Sequence, residues 1–590
     1  MAISSGSGIA PQARTGPGLR IAGAVLLLAA TAGAGADGAE ESRAELNAIF
    51  DAAWALPEPV TIDGIPDYSE AAVNRQKLRL AELRRRFDRL DATNWQISEK
   101  VDYLLVRAEL DKLEYGLYVY RATSRSPNFY LSSISSFGMS SGATLSRLGS
   151  MVQQPPPFDA ERADRIIEHM QRIPSILEQA MQNLTEPTVE MSRWALPTLA
   201  DALENSRSFA RGLVPHFPAE RRADLVAAAD AMGTAFAEYR NWIEARLPSM
   251  PHAEPIGGEM YDWLLQRVWL VPYDAEDILR FGEQEYARYL AFTEFEEARN
   301  LGLPMPESAA TTDEYATRTA ADERAIRRFL VKRDVLTIPE YVGDYRRELM
   351  PLYIQAFPLW AGLSGYRTAD DGAVKYSVPE SHPYTQTYWE SIMRTDPSTN
   401  IFHDGIPGHH FQGIVSHRNP SPIRSRRRDR FKSEGWTTYW EEAAVQLGFY
   451  DDRPRSRELI YNFLRLRALR VTVDVRMALG EISVDEAVSA LMSVPMDRRI
   501  ASEEADDFFA APTGGIVYQI GKMQIERLLG ERRNDLGDAF HLGRFHDELV
   551  QAAWVPIALT RAEMTGRTEE IEVMLKDRRP LPKTRTTPIN

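Results

Sequence analysis

Apolar residues recur at three- and four-residue spacing along most of this chain. Leu80, Leu83, Phe87 and Leu90 form one such stripe, and Val101, Leu104, Leu105 and Ala108 form another. That spacing puts them on one face of a helix, because 3.6 residues complete a turn. Residues 155–186, 193–212 and 219–246 continue the pattern, separated by the triple proline at 155–157, by Pro187, and by Pro215 and Pro218. Proline lacks the N–H a helix needs, so each run is expected to break there. The block predicts amphipathic helices with solvated charged faces and no compact polar cluster.

The stretch LPSMPHAEPIGGE at 247–259 is rich in proline and glycine and marks the best internal boundary. YDWLLQRVWL then opens a second helical run. In GAVKYSVPE the alternation of Val374, Tyr376 and Val378 predicts a strand closed by Pro379, a residue that suits a sheet edge. Helices are expected again from about 400 to 577. The tail RRPLPKTRTTPIN reads as disordered. The fold class is therefore mainly α with a small β-sheet, divided into a helical region over 37–250, a second region over 255–577 and a tail over 578–590.

The first 36 residues read as an export signal. Arg14 and Arg20 precede the uncharged run IAGAVLLLAATAGAGA, which ends in Ala34-Gly35-Ala36, and cleavage is expected before Asp37. The run is short and rich in Gly and Ala for a membrane span. A periplasmic or secreted protein, with no stable membrane span after cleavage, is expected. The 590 residues include no cysteine, which excludes disulfides, thiolate metal ligands, a cysteine nucleophile and a lipidated cysteine. A net charge of −15 argues against nucleic acid as partner.

The chemistry concentrates in NIFHDGIPGHHFQ at 400–412. Of ten histidines, five are His382, His403, His409, His410 and His417. His403 is separated from His409 and His410 by six and seven positions, too far on a regular helix for one ion. Pro407-Gly408 offers a kink that could bring the flanking turns together. Zinc takes neutral imidazole and needs a third protein ligand. KSEGWTTYWEEAAVQLGF supplies a candidate, with Glu434 and Glu441 on one face and Trp436, Tyr439, Ala443 and Leu447 on another. Asp404, beside the first histidine, stands where a general base is expected.

These motifs, in this order, resemble the bacterial family known as domain of unknown function 885. NIFHDGIPGHHFQ is similar to its HExxPGHHxQ signature, and EGWTTYWEE at 434–442 to its EGWAxYxE. RALRVTVDV at 467–475, PTGGIVYQIGKMQI at 512–525 and FHDELVQAAWVP at 545–556 resemble its later landmarks. The family is grouped by resemblance with gluzincin zinc metallopeptidases, which implies that architecture, a zinc ion and a peptide or amide substrate. Carried over, the resemblance implies His403, His409 and Glu434 as metal ligands, with His410 the alternative to His409, and Asp404 as base. It further implies Tyr518 and His546 as groups that steady an oxyanion or orient substrate, and Asp474 as a partner holding a ligand histidine.

The chain departs from the family at three places. Asp404 replaces glutamate, Ala478 stands where the helix after Asp474 usually carries histidine, and PTGG replaces PGQA. A non-catalytic protein that keeps the groove for binding peptide is the competing expectation. His382 and His417 are expected outside the ligand set, and Glu441 and Glu442 as solvated helix carboxylates. The basic run RSRRRDRFK at 424–432 reads as a solvated face.

Overall fold

The computed structural model describes residues 24–131, 143–356, 366–369, 372–382, 385 and 387–583. Most of the expected leader therefore lies outside the described residues, and the first helix, Ala24–Ala55, continues through the position expected for cleavage. Helices Glu70–Phe87, Ile97–Tyr115, Ala160–Asn183, Ala202–Leu213 and Arg222–Arg246 follow. The stripes expected from spacing are buried: Leu80, Leu83 and Phe87 on one helix, Val101, Leu104, Leu105 and Ala108 on the next. Local chemistry sets the helix starts. Gln96 and Glu99 form a capping box, and Asp159 accepts from the Arg162 N–H after the triple proline.

In the second half the chain runs through α1 (Ala275–Arg299), α2 (Thr312–Lys332) and β1 (Asp344–Leu349). It continues through β2 (Tyr366–Ala369), β3 (Gly372–Ser377), α3 (Ser398–Asp404) and α4 (His409–His417). Then come α5 (Arg430–Gln446), α6 (Pro454–Leu479), α7 (Val517–Leu536) and α8 (Leu542–Gln551). The long helix α6 begins with Pro454 in its first turn and ends at Gly480, whose φ of 78° is the left-handed conformation that favours glycine. It packs along α1, while α5 packs along α7.

The small sheet has the order β1-β3-β2, with β1 parallel and β2 antiparallel to β3. The strand read from Val374 and Tyr376 is thus central, and the edge position expected from Pro379 is not found. The ladder ends at Ser377, so Pro379 removes no hydrogen bond from it.

The proline-rich segment at 247–259 is crossed by the largest apolar cluster. That cluster joins Leu104 and Leu105 to Leu264 and Val268 and reaches Ile520 and Leu559, while two further clusters, around Trp436 and around Leu491, lie wholly beyond the segment. The basic run beside α5 fastens these parts together and is not the solvated face its composition suggests. Arg424 pairs with Asp102 at 2.7 Å and with Glu563 at 2.8 Å. Buried Arg427 donates to the Val268 carbonyl, and the Lys432 side chain is fully buried. Of the tail, residues 584–590 lie outside the described residues, while Arg579 hydrogen-bonds Gln266 and Asp577. Among the described residues no helix is long and apolar enough to cross a membrane.

Candidate metal centre

The turn Gly405-Ile406-Pro407-Gly408 ends α3 and starts α4, so His403 and His409 sit on two short helices. The close approach needs glycine at 408, where an added Cβ would lie 1.9 Å from the His403 carbonyl oxygen. Folded back this way, the two imidazoles stand 4.9 Å apart, centroid to centroid, at 88°. Glu434 reaches them from α5. Its Oε2 lies 3.2 Å from His409 Nε2 and 3.6 Å from His403 Nε2. One donor atom from each of the three residues falls within a 4.8 Å span.

Those distances fit one small cation. Zinc bonds of 2.0–2.1 Å place neighbouring tetrahedral ligands about 3.3 Å apart. Side-chain exposures of 15% for His403, 21% for His409 and 18% for Glu434 leave the cluster reachable from solvent. His410 is turned elsewhere: its buried ring meets the Gly343 carbonyl at 3.2 Å. His417 bonds the Gly413 carbonyl and packs on Trp554, and neither it nor His382 joins the cluster.

Behind His403 stands Glu441, one of two carboxylates expected in solvent and in fact buried. Its Oε1 is 2.6 Å from His403 Nδ1. A carboxylate only accepts, so Nδ1 carries the proton and Nε2 is left to face Glu434. Burial would raise the Glu441 pKa, but Arg467, donating at 3.1 Å, and His403 hold it below the usual range. Burial opposes charge on His403, yet its bonds to Glu434 and Glu441 push its pKa up to about 9. Burial likewise opposes ionisation of Glu434, and the two histidines hold it well below the carboxylate range. Its neighbour Glu442 is buried too, bonded to Lys522 at 2.7 Å, Arg288 at 2.6 Å and Tyr289 at 2.9 Å. That group ties α5 to α1 and α7.

Asp404 is the last residue of α3, and the sheet clasps it. Lys375 and Arg347 are register partners on β3 and β1. Lys375 pairs with Asp404 Oδ2 at 3.0 Å, and Arg347 donates at 2.5 Å to Asn400, one turn earlier on α3. Asn400 in turn donates to the same Asp404 oxygen at 2.8 Å. Asp404 Oδ1 keeps no partner among the described residues.

Tyr518 is brought close because α5 and α7 cross at two glycines. An added Cβ on Gly435 would lie 2.5 Å from Gly521 Cα. The Tyr518 ring stands 6.5 Å from His403, with Arg467 and Arg470 over its face at 4.7 and 5.1 Å. Its hydroxyl has no hydrogen-bond partner among the described residues. Burial first, then Glu434, pushes its pKa up to about 12.

Two expected roles are not met. Both His546 ring nitrogens are taken, Nδ1 by the Val335 carbonyl at 2.6 Å and Nε2 by the Tyr439 hydroxyl at 2.8 Å. Fully buried among Trp436, Trp440 and Phe545, it joins α8 to α5 as a core residue and has no atom left for an oxyanion. Asp474 does not hold a histidine, a position that belongs to Glu441. It accepts from Tyr261 Oη at 2.8 Å, Thr513 N at 3.0 Å and Gly515 N at 2.6 Å, and so pins the PTGG loop. Ala478 lines a small pocket with Tyr120, Arg125, Glu254 and Phe508, to which no candidate ligand contributes.

The sequence matches, over residues 57–564, a family described as "Bacterial protein of unknown function (DUF885)". The chain belongs to this family. Two solved structures share its fold at 16% identity. One, a "putative lipoprotein of unknown function" from Shewanella oneidensis, covers 89% of this chain and 98% of its own with a TM-score of 0.63. The other, a "putative lipoprotein" from Colwellia psychrerythraea, covers 90% and 99% with a TM-score of 0.70. No curated protein matches the sequence.

Proposed function

We propose that this DUF885 member is an exported zinc-dependent hydrolase of metallopeptidase type that cuts peptide or other amide bonds. The observation that carries the proposal is the convergence of donor atoms from His403, His409 and Glu434 within a 4.8 Å span, a donor set zinc accepts, with Glu441 accepting from His403 Nδ1. The gluzincin relationship implied by the motifs belongs to the same proposal.

Bound zinc supplies Lewis acidity, which polarises a carbonyl and brings the pKa of water toward neutrality. His403, His409 and Glu434 would hold the ion. Asp404 takes the proton from water at Oδ1, the oxygen not engaged by Lys375 and Asn400, and passes it to the leaving nitrogen. Burial works against its charge, but Lys375 and the two histidines keep it ionised, well below the usual carboxylate range. Tyr518 stays protonated at neutral pH and donates its free hydroxyl to the oxygen that gains charge.

Export is supported by the leader pattern around Arg14, Arg20 and Ala34-Gly35-Ala36. Both structurally similar proteins are described as lipoproteins, whereas none of these 590 residues is a cysteine that could bear a lipid. A peptide library treated with zinc-loaded protein tests the activity. The expected result is cleavage that a chelator abolishes, zinc restores and Asp404→Asn reduces by about 100-fold or more. Cleavage indifferent to the chelator contradicts the proposal.

The Lys375–Asp404 pair favours a second reading, a peptide-binding protein whose base is locked. Under it, Asp404→Glu gains activity that the native protein lacks. Comparable cleavage by both proteins defeats it.

A further inference from the structure

Arg430 opens α5 one turn before Glu434, so both side chains leave the same helix face. The arginines around it are committed. Arg428 donates to Ser433, Arg467 to Glu441, Arg470 to Glu504 and Arg347 to Asn400. Arg430 has no hydrogen-bond or ion-pair partner among the described residues, and it is only half-buried. Its Nη2 stands 3.6 Å from where a Cβ on Gly514 would lie, so the guanidinium hangs over the bare backbone of the PTGG loop.

Its charge reaches Asp429, Asp474, Asp507 and Tyr518. Asp474 has spent its oxygens on Tyr261, Thr513 and Gly515. Asp507 keeps a buried oxygen without a partner, and it forms no ion pair with Arg430. An uncommitted guanidinium thus stands over the PTGG loop, on the turn before Glu434 and within electrostatic reach of Tyr518.

We propose that Arg430 binds the free C-terminal carboxylate of the substrate, which makes this an exo-acting site for peptides with an open chain end. The inference rests on the hydrolase reading and adds its substrate class. Guanidinium matches carboxylate as a planar fork, which an amide cannot replace. One helical turn is about 5.4 Å and an extended residue spans about 3.3–3.6 Å, so the anchored end lies one or two residues from the bond at the cluster.

The test uses zinc-loaded full-length protein carrying Asp404→Asn, dialysed against random N-acetylated tripeptides made as free acids and as C-terminal amides. Retained peptides are counted by mass spectrometry. Free acids are expected to be retained at least tenfold over amides. Arg430→Gln is expected to remove that preference while zinc content stays unchanged, and Arg430→Lys to keep part of it. Equal retention of acids and amides, no retention of acids, or a preference that survives Arg430→Gln overturns the proposal. The unsubstituted protein, run against the same peptides, separates the two readings. Equal cleavage of acids and amides defeats the anchor and leaves the hydrolase. Selective retention of acids without cleavage leaves the anchor and defeats the hydrolase.

Discussion

His403 Nδ1 lies 2.6 Å from Glu441 Oε1, and this contact sets which nitrogen of the ring faces Glu434. Removing the carboxylate frees the ring to rotate and to change tautomer. Glu441→Ala is expected to weaken zinc binding about 10- to 100-fold, as loss of such a partner does in known metal sites. Competition with a zinc-sensitive dye measures it, and unchanged affinity would take Glu441 out of this role.

Gly408 makes the site's backbone possible. A Cβ there meets the His403 carbonyl, which cannot move without unwinding α3. Gly408→Ala is expected to cost about 3 kcal/mol of stability and to lower zinc occupancy, because overpacking here displaces a candidate ligand. Thermal melts and metal analysis of the same sample check both effects together.

Lys522 neutralises Glu442 in the interior, where its side-chain exposure is 0%. Lys522→Met leaves Glu442 short of one of its three partners, with Arg288 and Tyr289 remaining. Breaking such a buried pair typically costs about 3–5 kcal/mol. Urea denaturation is expected to show a loss of that order, and a loss below about 1 kcal/mol would mean that Arg288 carries the charge alone.

Asp474 gives a pH dependence whose sign follows from its burial. Burial raises its pKa to about 6 against the opposing bonds from Gly515, Tyr261 and Thr513. Between the unfolded value of about 3.9 and about 6, the folded protein holds a proton that the unfolded chain has lost. Stability from this group is therefore full below that window and falls as pH rises through it. Relative to Asp474→Asn, the native protein is expected to lose about 3 kcal/mol across the window, at 1.36 kcal/mol per pKa unit. A stability difference that stays flat from pH 4 to pH 7 would contradict the shift.

Much of the site is legible in the sequence because it lies in two short motifs, and the Pro407-Gly408 pair accounts for the irregular histidine spacing. Glu441 is harder to read for a physical reason. The amphipathic pattern assigns a solvated face only when a helix has one, and α5 is buried nearly all round, with Trp436, Tyr439 and Trp440 on some sides and Thr437, Thr438 and Glu441 on others. Asp474 is masked in the same way on α6. His546 precedes an aspartate in a motif-like FHD, a pattern that fits a core histidine held by Val335 and Tyr439 equally well. The misplaced strand has a simpler cause. Proline restricts pairing only inside a ladder, and Pro379 lies beyond its end. The basic run at 424–432 looks solvated because its partners, Asp102, Val268 and Glu563, are far away in sequence.

The most direct measurement is the metal content of the mature protein, purified without a histidine tag and analysed by plasma mass spectrometry. About one zinc per chain is expected, reduced to a small fraction by His409→Ala or Glu434→Gln. A protein that arrives without metal and takes up none from micromolar zinc would contradict the account, and would leave His403, His409 and Glu434 as a hydrogen-bonded scaffold.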